Sequence, residues 1–87
     1  MVLGLESRYT SFSQTSRQVA YNNGLQQGPR RGQIDCSTGH SYRPTHDDRY
    51  RDGDGGYSSS MSDKNAYQQS FRQGYMNGYL RSYGGGY

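Results

Sequence analysis

The chain of 87 residues is long enough for one small domain only. Ten Lys and Arg against seven Asp and Glu leave a net charge of +3, so the high net charge of a typical disordered chain is missing. Because Cys36 is the only cysteine, the chain can form neither an internal disulfide nor a four-cysteine zinc site.

Aliphatic side chains are scarce and tyrosines are abundant. Val, Leu, Ile and Phe together number nine, whereas Tyr alone numbers ten. Each large aromatic side chain can bury about 150–250 Å², but this total falls short of the burial needed to order the whole chain. We therefore expect part of the chain to be irregular, or to bury surface against a partner.

The longest apolar run, Val2-Leu3-Gly4-Leu5, is too short for a transmembrane helix or for the apolar region of a signal peptide. With Met1 as the native start, the cytoplasm is the default expectation. With an upstream signal missing from the sequence, the expectation changes to the envelope or the exterior.

Residues 1–14 show no hydrophobic period, and we interpret them as a flexible N-terminal lead. Residues 15–36 form a Gly-spaced arm, in which small residues at every fourth position predict a helix that packs closely on another. This helix is expected to end at Gln27 or Gly28, because Pro29 cannot continue a helix begun upstream. The small residues of the arm are Ser16, Ala20, Gly24, Gly28, Gly32 and Cys36.

Residues 37–61 are rich in Asp, Arg, Gly and Ser and predict a long irregular loop. Cys36, His40, His46 and Asp48 are spaced unlike the paired ligands of a zinc site. Acids between residues 52 and 63 resemble a calcium loop, but a tyrosine stands where that loop requires glycine. The sequence thus predicts no metal, no cofactor and no catalytic residue, and hence no enzyme.

Residues 62–83 predict an aromatic helix, followed by a Gly/Tyr tail over residues 84–87 that ends it. Ser62 is the expected N-cap, with Asp63 in the first turn and Arg81 in the last. An aromatic residue falls at every fourth position, and a small residue precedes each one. The aromatic residues are Tyr67, Phe71, Tyr75, Tyr79, Tyr83 and Tyr87.

Together these features predict a mostly α fold. Its two arms form a helical hairpin with small-xxx-small packing, a long irregular central loop and flexible termini. The alternative is a disordered, self-associating tract, because Gly, Tyr and Gln at short intervals are also typical of low-complexity segments.

Three blocks carry a resemblance: "AYNNGLQQG" (20–28), "DDRYRDGDGGY" (47–57) and "AYQQSFRQGYMNGY" (66–79). In this order they resemble a group of small, uncharacterised bacterial proteins of the GYxxGY type, built on repeated Gly-Tyr steps. The resemblance spans roughly residues 19–83 and implies bacterial origin and a helical hairpin. It implies no activity, and the chain departs from the group by lacking a recognisable export signal and by carrying Pro29 within the first arm.

The predicted function is that of a non-catalytic structural or interaction protein. Its partner is expected to be a second copy of the chain or another protein surface, because the helical arms carry too little apolar surface to fold alone. The residues predicted for self-association are Tyr21, Gly24, Gly28, Tyr67, Phe71, Gly74, Tyr75, Gly78, Tyr79 and Tyr83.

Binding of single-stranded nucleic acid is the alternative function. Arginines interleaved with tyrosines suit it, because single strands are held by cationic side chains and by stacking on aromatic rings. Four aspartates among residues 47–54 neutralise the densest arginine region, however, and only Arg30 and Arg31 form an uncompensated pair.

Overall fold

The computed structural model describes the backbone of residues 2–61 and 63–84 and the side chains of residues 16–61 and 63–84. It contains the helices α1 (Val2–Ser37), α2 (Asp48–Asp52) and α3 (Lys64–Tyr83). No strand occurs in this part of the chain. The long helices α1 and α3 pack along each other, so the predicted mostly α fold with two packed helices is confirmed.

The two long helices run in the same direction. Along their contact Gly24 meets Phe71, Gly28 meets Tyr75 and Gly32 meets Tyr79, so residue numbers rise together on both helices. Residues 38–63, which we call the return segment, must therefore run back along the pair before α3 begins. A parallel pair requires such a long connection, whereas an antiparallel pair can be joined by a short turn.

Glycines bring the two backbones into direct contact. A Cβ atom added to a contact glycine would collide with a backbone carbonyl oxygen of the other helix. Glycine costs about 1 kcal/mol relative to alanine inside a helix, and close packing with weak Cα–H···O contacts offsets this cost. The glycines and the residues whose carbonyls they meet are Gly24 with Phe71, Gly28 with Tyr75, Gly32 with Tyr79, Gly74 with Tyr21 and Gly78 with Leu25.

The first helix is longer than predicted. Its backbone begins at Val2, within the segment predicted as a lead, and continues to Ser37. The predicted end at Gln27 or Gly28 is therefore wrong. The prediction rested on a local rule for proline, and the packing of α1 on α3 overrides it.

Pro29 lies inside α1 where the two helices touch. Proline has no N–H group to donate to the carbonyl oxygen of Leu25, four residues earlier. That oxygen instead faces Gly78 of α3, where an added Cβ would lie 2.6 Å from it and 2.6 Å from Cδ of Pro29. Gly78 therefore accommodates both the proline ring and the carbonyl group that lost its helical partner.

The return segment is irregular for most of its length, as predicted, and holds the short helix α2. Gly53 ends α2 with φ of 61°, and its N–H donates to the carbonyl oxygen of Arg49. This left-handed conformation favours glycine, because a side chain would be strained there.

Helix α3 begins and ends close to the predicted bounds. Asp63 is the N-cap, and its carboxylate accepts a hydrogen bond of 3.1 Å from the N–H of Ala66. Ser62, the predicted N-cap, lies outside the described residues. Arg81 lies in the last turn, and the N–H of Gly84 donates to the carbonyl of Leu80. None of the helices in the described residues is long and apolar enough to cross a membrane.

We expect Gly28→Ala to destabilise the fold although alanine is the better helix former. The new methyl group would meet the carbonyl of Tyr75, and overpacking of this kind costs about 1–3 kcal/mol. Gly32→Ala gains the same helix propensity, but its Cβ would be farther from the facing carbonyl, at 2.5 Å from Tyr79 O.

Urea denaturation of both variants measures the difference in the free energy of unfolding. Gly28→Ala should be the less stable of the two, and below the wild-type chain. A stabilised Gly28→Ala chain would refute the backbone contact.

Candidate functional site: a tyrosine row and an uncovered helix face

The aromatic residues of α3 form a row that the return segment covers. Tyr67 is only 1% exposed, and Phe71, Tyr75 and Tyr79 are completely buried. Residues four apart lie on successive turns of a helix, about 40° from one another around its axis. The row therefore winds gradually around α3, and the return segment follows it.

Tyrosine hydroxyl groups attach the return segment to α3 at several levels. Tyr83 donates to the carbonyl oxygen of His40 at 2.6 Å, and Tyr67 donates to that of Gly55 at 2.5 Å. Between these ends, the hydroxyl of Tyr79 accepts from the backbone N–H of Arg43 at 3.1 Å. Return-segment numbers rise as α3 numbers fall, so this segment runs antiparallel to α3.

Aromatic rings of the return segment pack edge-on against the row. Tyr42 meets Tyr79 and Tyr83 with ring centroids 5.4 and 5.5 Å apart. Tyr50 meets Tyr75 at 5.8 Å. Tyr57 likewise meets Tyr67, at 5.3 Å. Edge-to-face pairs contribute about 0.5–1.5 kcal/mol each beyond area burial, so tyrosines replace the missing aliphatic core.

Among the side chains that the structure describes, Asp35 is the buried charged one, with only 1% of its surface exposed. Its carboxylate accepts from Tyr79 at 2.5 Å and from two nitrogens of Arg43 at 3.3 Å each. Burial by itself raises the pKa of Asp35, but hydrogen bonds from Arg43 and Tyr79 outweigh it, so the pKa lies below its ordinary value. Asp35 therefore joins the end of α1, the return segment and α3.

Asp47 plays the corresponding role in the middle of the row. It accepts a hydrogen bond of 2.5 Å from the hydroxyl of Tyr75. Arg31 and Arg49 lie 3.7 and 4.0 Å from its two carboxylate oxygens. Burial and the bond to this carboxylate raise the pKa of Tyr75 well above its ordinary value. Burial and the bond to Asp35 raise that of Tyr79 to about 12.

Cys36 lies near the end of α1, and His40 and His46 lie in the return segment. Nδ1 of His40 is 2.7 Å from the hydroxyl oxygen of Thr38 and 3.9 Å from Asp35. His46 and Cys36 are exposed. Among the side chains that the structure describes, no group of three His, Cys, Asp or Glu residues could hold a metal ion.

The structure brings together the residues predicted for self-association, but it does so within one chain. The four glycines lie in the contact between α1 and α3, and the return segment covers the aromatic row. This packing removes the reason for assigning the row to a contact between chains. The set consists of Tyr21, Gly24, Gly28, Tyr67, Phe71, Gly74, Tyr75, Gly78, Tyr79 and Tyr83.

Sequence reasoning missed Asp35, Arg43 and Asp47, which bind the row. One signal could have found the first of them: Asp35 is the only acid in the otherwise neutral or basic residues 15–36. A lone acid at the end of such an arm requires a partner if it is buried. The other two residues carry no comparable signal, because they lie among many charges.

The opposite side of the helix pair is not covered by the return segment. This segment meets α1 at Asn23, Gln27 and Arg31. Residues two positions away from these lie about 160° around the helix axis. On α3, residues two positions away from the tyrosines of the row likewise lie on the side away from the return segment. We call this side the uncovered face. Its residues are Tyr21, Leu25 and Pro29 of α1 and Asn77 and Arg81 of α3, with Ser70 beside Tyr21 at one end.

The uncovered face forms a shallow groove along the glycine contact. Asn77 donates a hydrogen bond of 2.7 Å across it to the hydroxyl of Tyr21. At one end, an open cavity of about 530 Å³ is lined by Arg17, Gln18, Tyr21 and Ser70. Tyr21, Leu25 and Pro29 are all half-buried, so this face presents apolar surface between polar groups.

Charge is distributed unevenly between the two sides. The aspartates of residues 47–54 lie on the covered side. Arg17, Arg30 and Arg81 are exposed on the helices and form no ion pair with a described side chain. The helix surface away from the return segment is therefore basic.

Comparison with protein-family models, curated proteins and solved structures finds no match to this chain. The resemblance to bacterial Gly/Tyr-repeat proteins thus stays a prediction.

We expect Tyr79→Phe to lower the free energy of unfolding by about 1.5–3 kcal/mol, because it removes a hydrogen bond to a buried charge. Tyr83→Phe is the matched control, since its exposed hydroxyl donates to an uncharged carbonyl. Its cost should stay near or below about 1 kcal/mol. Urea denaturation measures both, and equal losses would contradict the importance of Asp35.

Raising the pH should remove stability through the buried tyrosines. The pKa of Tyr79 is about 12 in the folded chain and about 10 in an unfolded chain. Below a pH of about 10 both states keep the proton, so the contribution to stability is complete. As the pH rises towards 12, the unfolded state ionises first and the free energy of unfolding falls.

Urea denaturation at several alkaline pH values tests this fall. Tyr79→Phe should show a shallower decline than the wild-type chain, with the remainder due to Tyr75. The same slope in both chains would argue against the raised pKa of Tyr79.

Proposed function

We propose that the protein is a non-catalytic structural or interaction protein that associates with copies of itself through the uncovered face. One observation carries the proposal. The return segment covers one side of the helix pair, while the other side leaves half-buried apolar side chains of α1, Tyr21, Leu25 and Pro29, without a cover.

The dimensions of the molecule support association through this face. Its principal extents are 55, 27 and 13 Å, so the molecule is long and thin. Small domains normally bury their apolar surface between two packed layers. The return segment is such a layer on one side, and a second copy on the uncovered face would bury the side that the return segment leaves open.

The residues of the uncovered face also support this proposal. Tyr21, Leu25 and Pro29 follow one another at four-residue spacing on α1. The glycines between the helices have no side chains that could fill the groove beside them. A shallow groove lined by half-buried apolar side chains lets another backbone approach closely, as small residues do between packed helices. The predicted self-association is retained, while its surface moves from the tyrosine row to the uncovered face.

Single-stranded nucleic acid is a second candidate for this face. Arg17 and Tyr21 line the same open cavity, and the exposed Arg81 lies on the face farther along α3. An aromatic ring between cations suits a flexible strand. Only one half-exposed aromatic side chain is present there, however, and self-association needs no ligand beyond the chain itself.

The variant Tyr21→Gln, Leu25→Gln should weaken self-association. Each residue is half-exposed in the single chain, so covering the remainder contributes about 1 kcal/mol per side chain. The double variant should raise the dissociation constant roughly 30-fold. Light scattering coupled to size-exclusion chromatography over a range of concentrations gives this constant.

The matched control is Met76→Gln, Leu80→Gln, which replaces two exposed apolar residues on the outer side of α3. Its assembly should equal that of the wild-type chain. Circular dichroism establishes that both variants keep their helices. A control that weakens assembly as much as the first variant would refute the uncovered face as the contact.

Salt and nuclease separate the two candidates. Nucleic-acid binding through several arginines would lose orders of magnitude in affinity as salt rises. Nuclease-treated protein that no longer assembles, together with tight binding of an oligonucleotide at low salt, would favour the second candidate.

A further inference from the structure

We propose that two copies of this chain form a closed dimer in which the uncovered faces meet with the helices antiparallel and Leu25 lies on the two-fold axis. This inference rests on the proposed self-association and names the arrangement of the two copies. The distribution of apolar, polar and charged residues over the uncovered face carries it.

The uncovered face is divided lengthwise into an apolar half and a polar half. The α1 half carries the half-buried residues Tyr21, Leu25 and Pro29. The α3 half carries exposed amide side chains, each two positions after a member of the aromatic row. These amide residues are Gln69, Gln73 and Asn77. A contact that satisfies the face must therefore bury apolar surface on one half and offer hydrogen-bonding groups to the other.

Two copies can join these faces about a two-fold axis in two ways. With the axis parallel to the helices, α1 of each copy lies on α3 of the other, so that the apolar residues cover amide groups. Burying an amide group without a hydrogen-bonding partner costs free energy. With the axis across the helices, each helix lies antiparallel on its own counterpart. Apolar residues then meet apolar residues, and amides meet amides, which can both donate and accept hydrogen bonds.

The spacing of the apolar residues determines the register of the antiparallel contact. Tyr21 and Pro29 lie four residues to either side of Leu25, which is about 6 Å along the helix. With Leu25 on the axis, Leu25 meets Leu25 of the second copy, and Tyr21 meets Pro29. A shift of one helical turn in one direction sets Tyr21 against the polar Gln33, and a shift in the other direction sets Pro29 against Arg17. Every apolar residue of the face therefore has an apolar partner in one register.

The same register keeps the arginines of the face away from direct contact with each other. Arg17 and Arg81 are exposed at opposite ends of the face. In the antiparallel dimer Arg17 lies across from Gln33 of the second copy, and Arg81 lies across from the beginning of its α3, near Asn65. Both facing side chains are uncharged amides, which can accept hydrogen bonds from a guanidinium group.

The helix dipoles also favour the antiparallel arrangement. Helices α1 and α3 end at Ser37 and Tyr83, and since Gly32 meets Tyr79, both carboxyl ends lie at the same end of the molecule. Each carries a partial negative charge. An antiparallel copy brings the amino end of its α3, with the opposite partial charge, to this end, whereas a parallel copy would gather four carboxyl ends. A contact that uses the same surface on both copies is closed and stops at the dimer.

Distances between spin labels distinguish the two arrangements. Each chain carries one label, on Gln26→Cys or on Ile34→Cys, in a background with Cys36→Ser. Both positions are exposed, on the side of α1 away from α3. Antiparallel copies with Leu25 on the axis separate the two Ile34 labels by about 27 Å along the helices and the two Gln26 labels by about 3 Å. Electron paramagnetic resonance should therefore give an Ile34 distance at least about 15 Å longer than the Gln26 distance.

Charge complementation at Leu25 tests the axis without labels. Leu25→Lys and Leu25→Asp each set like charges against each other across the axis, so each variant alone should raise the dissociation constant at least about tenfold. An equimolar mixture sets lysine against aspartate and should assemble at least about threefold more tightly than either variant alone. Circular dichroism shows whether the helices persist. Met76→Lys with Met76→Asp, on the outer side of α3, is the matched control and should gain nothing on mixing.

Three results would overturn the inference. Nearly equal label distances at the two positions would show a parallel arrangement, and a Leu25 mixture no tighter than its components would remove Leu25 from the axis. A mass that continues to rise above that of a dimer in analytical ultracentrifugation would show an open contact. All three leave the proposed self-association standing, whereas a wild-type chain that stays monomeric at every concentration refutes the proposed function itself.

Discussion

The contact between glycine Cα atoms and carbonyl groups of the facing helix determines the arrangement of this molecule. Because the contact glycines leave no room for a side chain, α1 and α3 meet backbone to backbone over several turns. The tyrosines of α3 are thereby directed to one side of the pair, where the return segment lies over them. The parallel course of the helices in turn requires a connection long enough to retrace the contact, and this connection supplies the cover that a second sheet or helix layer supplies elsewhere.

Local signals in the sequence identified the two helical arms. The features that these signals missed depend on contacts between residues far apart in the sequence. The capping signals at Ser62 and Asp63 and the glycine after Tyr83 were enough to place α3 within a residue or two. The continuation of α1 through Pro29 depends on Gly78 of the other helix, so no rule applied to the first arm alone could find it. The cover on the aromatic row escaped prediction for the same reason. Residues 37–61 read as a polar loop, and their role depends on single contacts such as Asp47 with Tyr75.

The two sides of the helix pair have different physical characters, and the functional proposals follow from that difference. On the covered side, tyrosine hydroxyls and two carboxylates satisfy one another, and no buried polar side-chain atom among the described residues lacks a partner. On the uncovered side, one amide-to-hydroxyl bond spans a groove of half-buried apolar residues. A surface whose polar groups are already satisfied contributes little to a new apolar contact, whereas the groove still holds apolar area that a partner can remove from water.

The parallel course of α1 and α3 has a further consequence for how the chain folds. Gly24 contacts Phe71, so the first helix cannot find its packing partner until most of the chain has been synthesised. Helical proteins usually fold rapidly because their contacts are local in sequence, and folding slows as contacting residues become more distant along the chain. Here the central contact is distant although every regular element is a helix, and the order of synthesis leaves α1 to form before its partner exists. The folding rate of this small protein should therefore resemble that of a chain rich in long-range pairings more than that of a helical bundle.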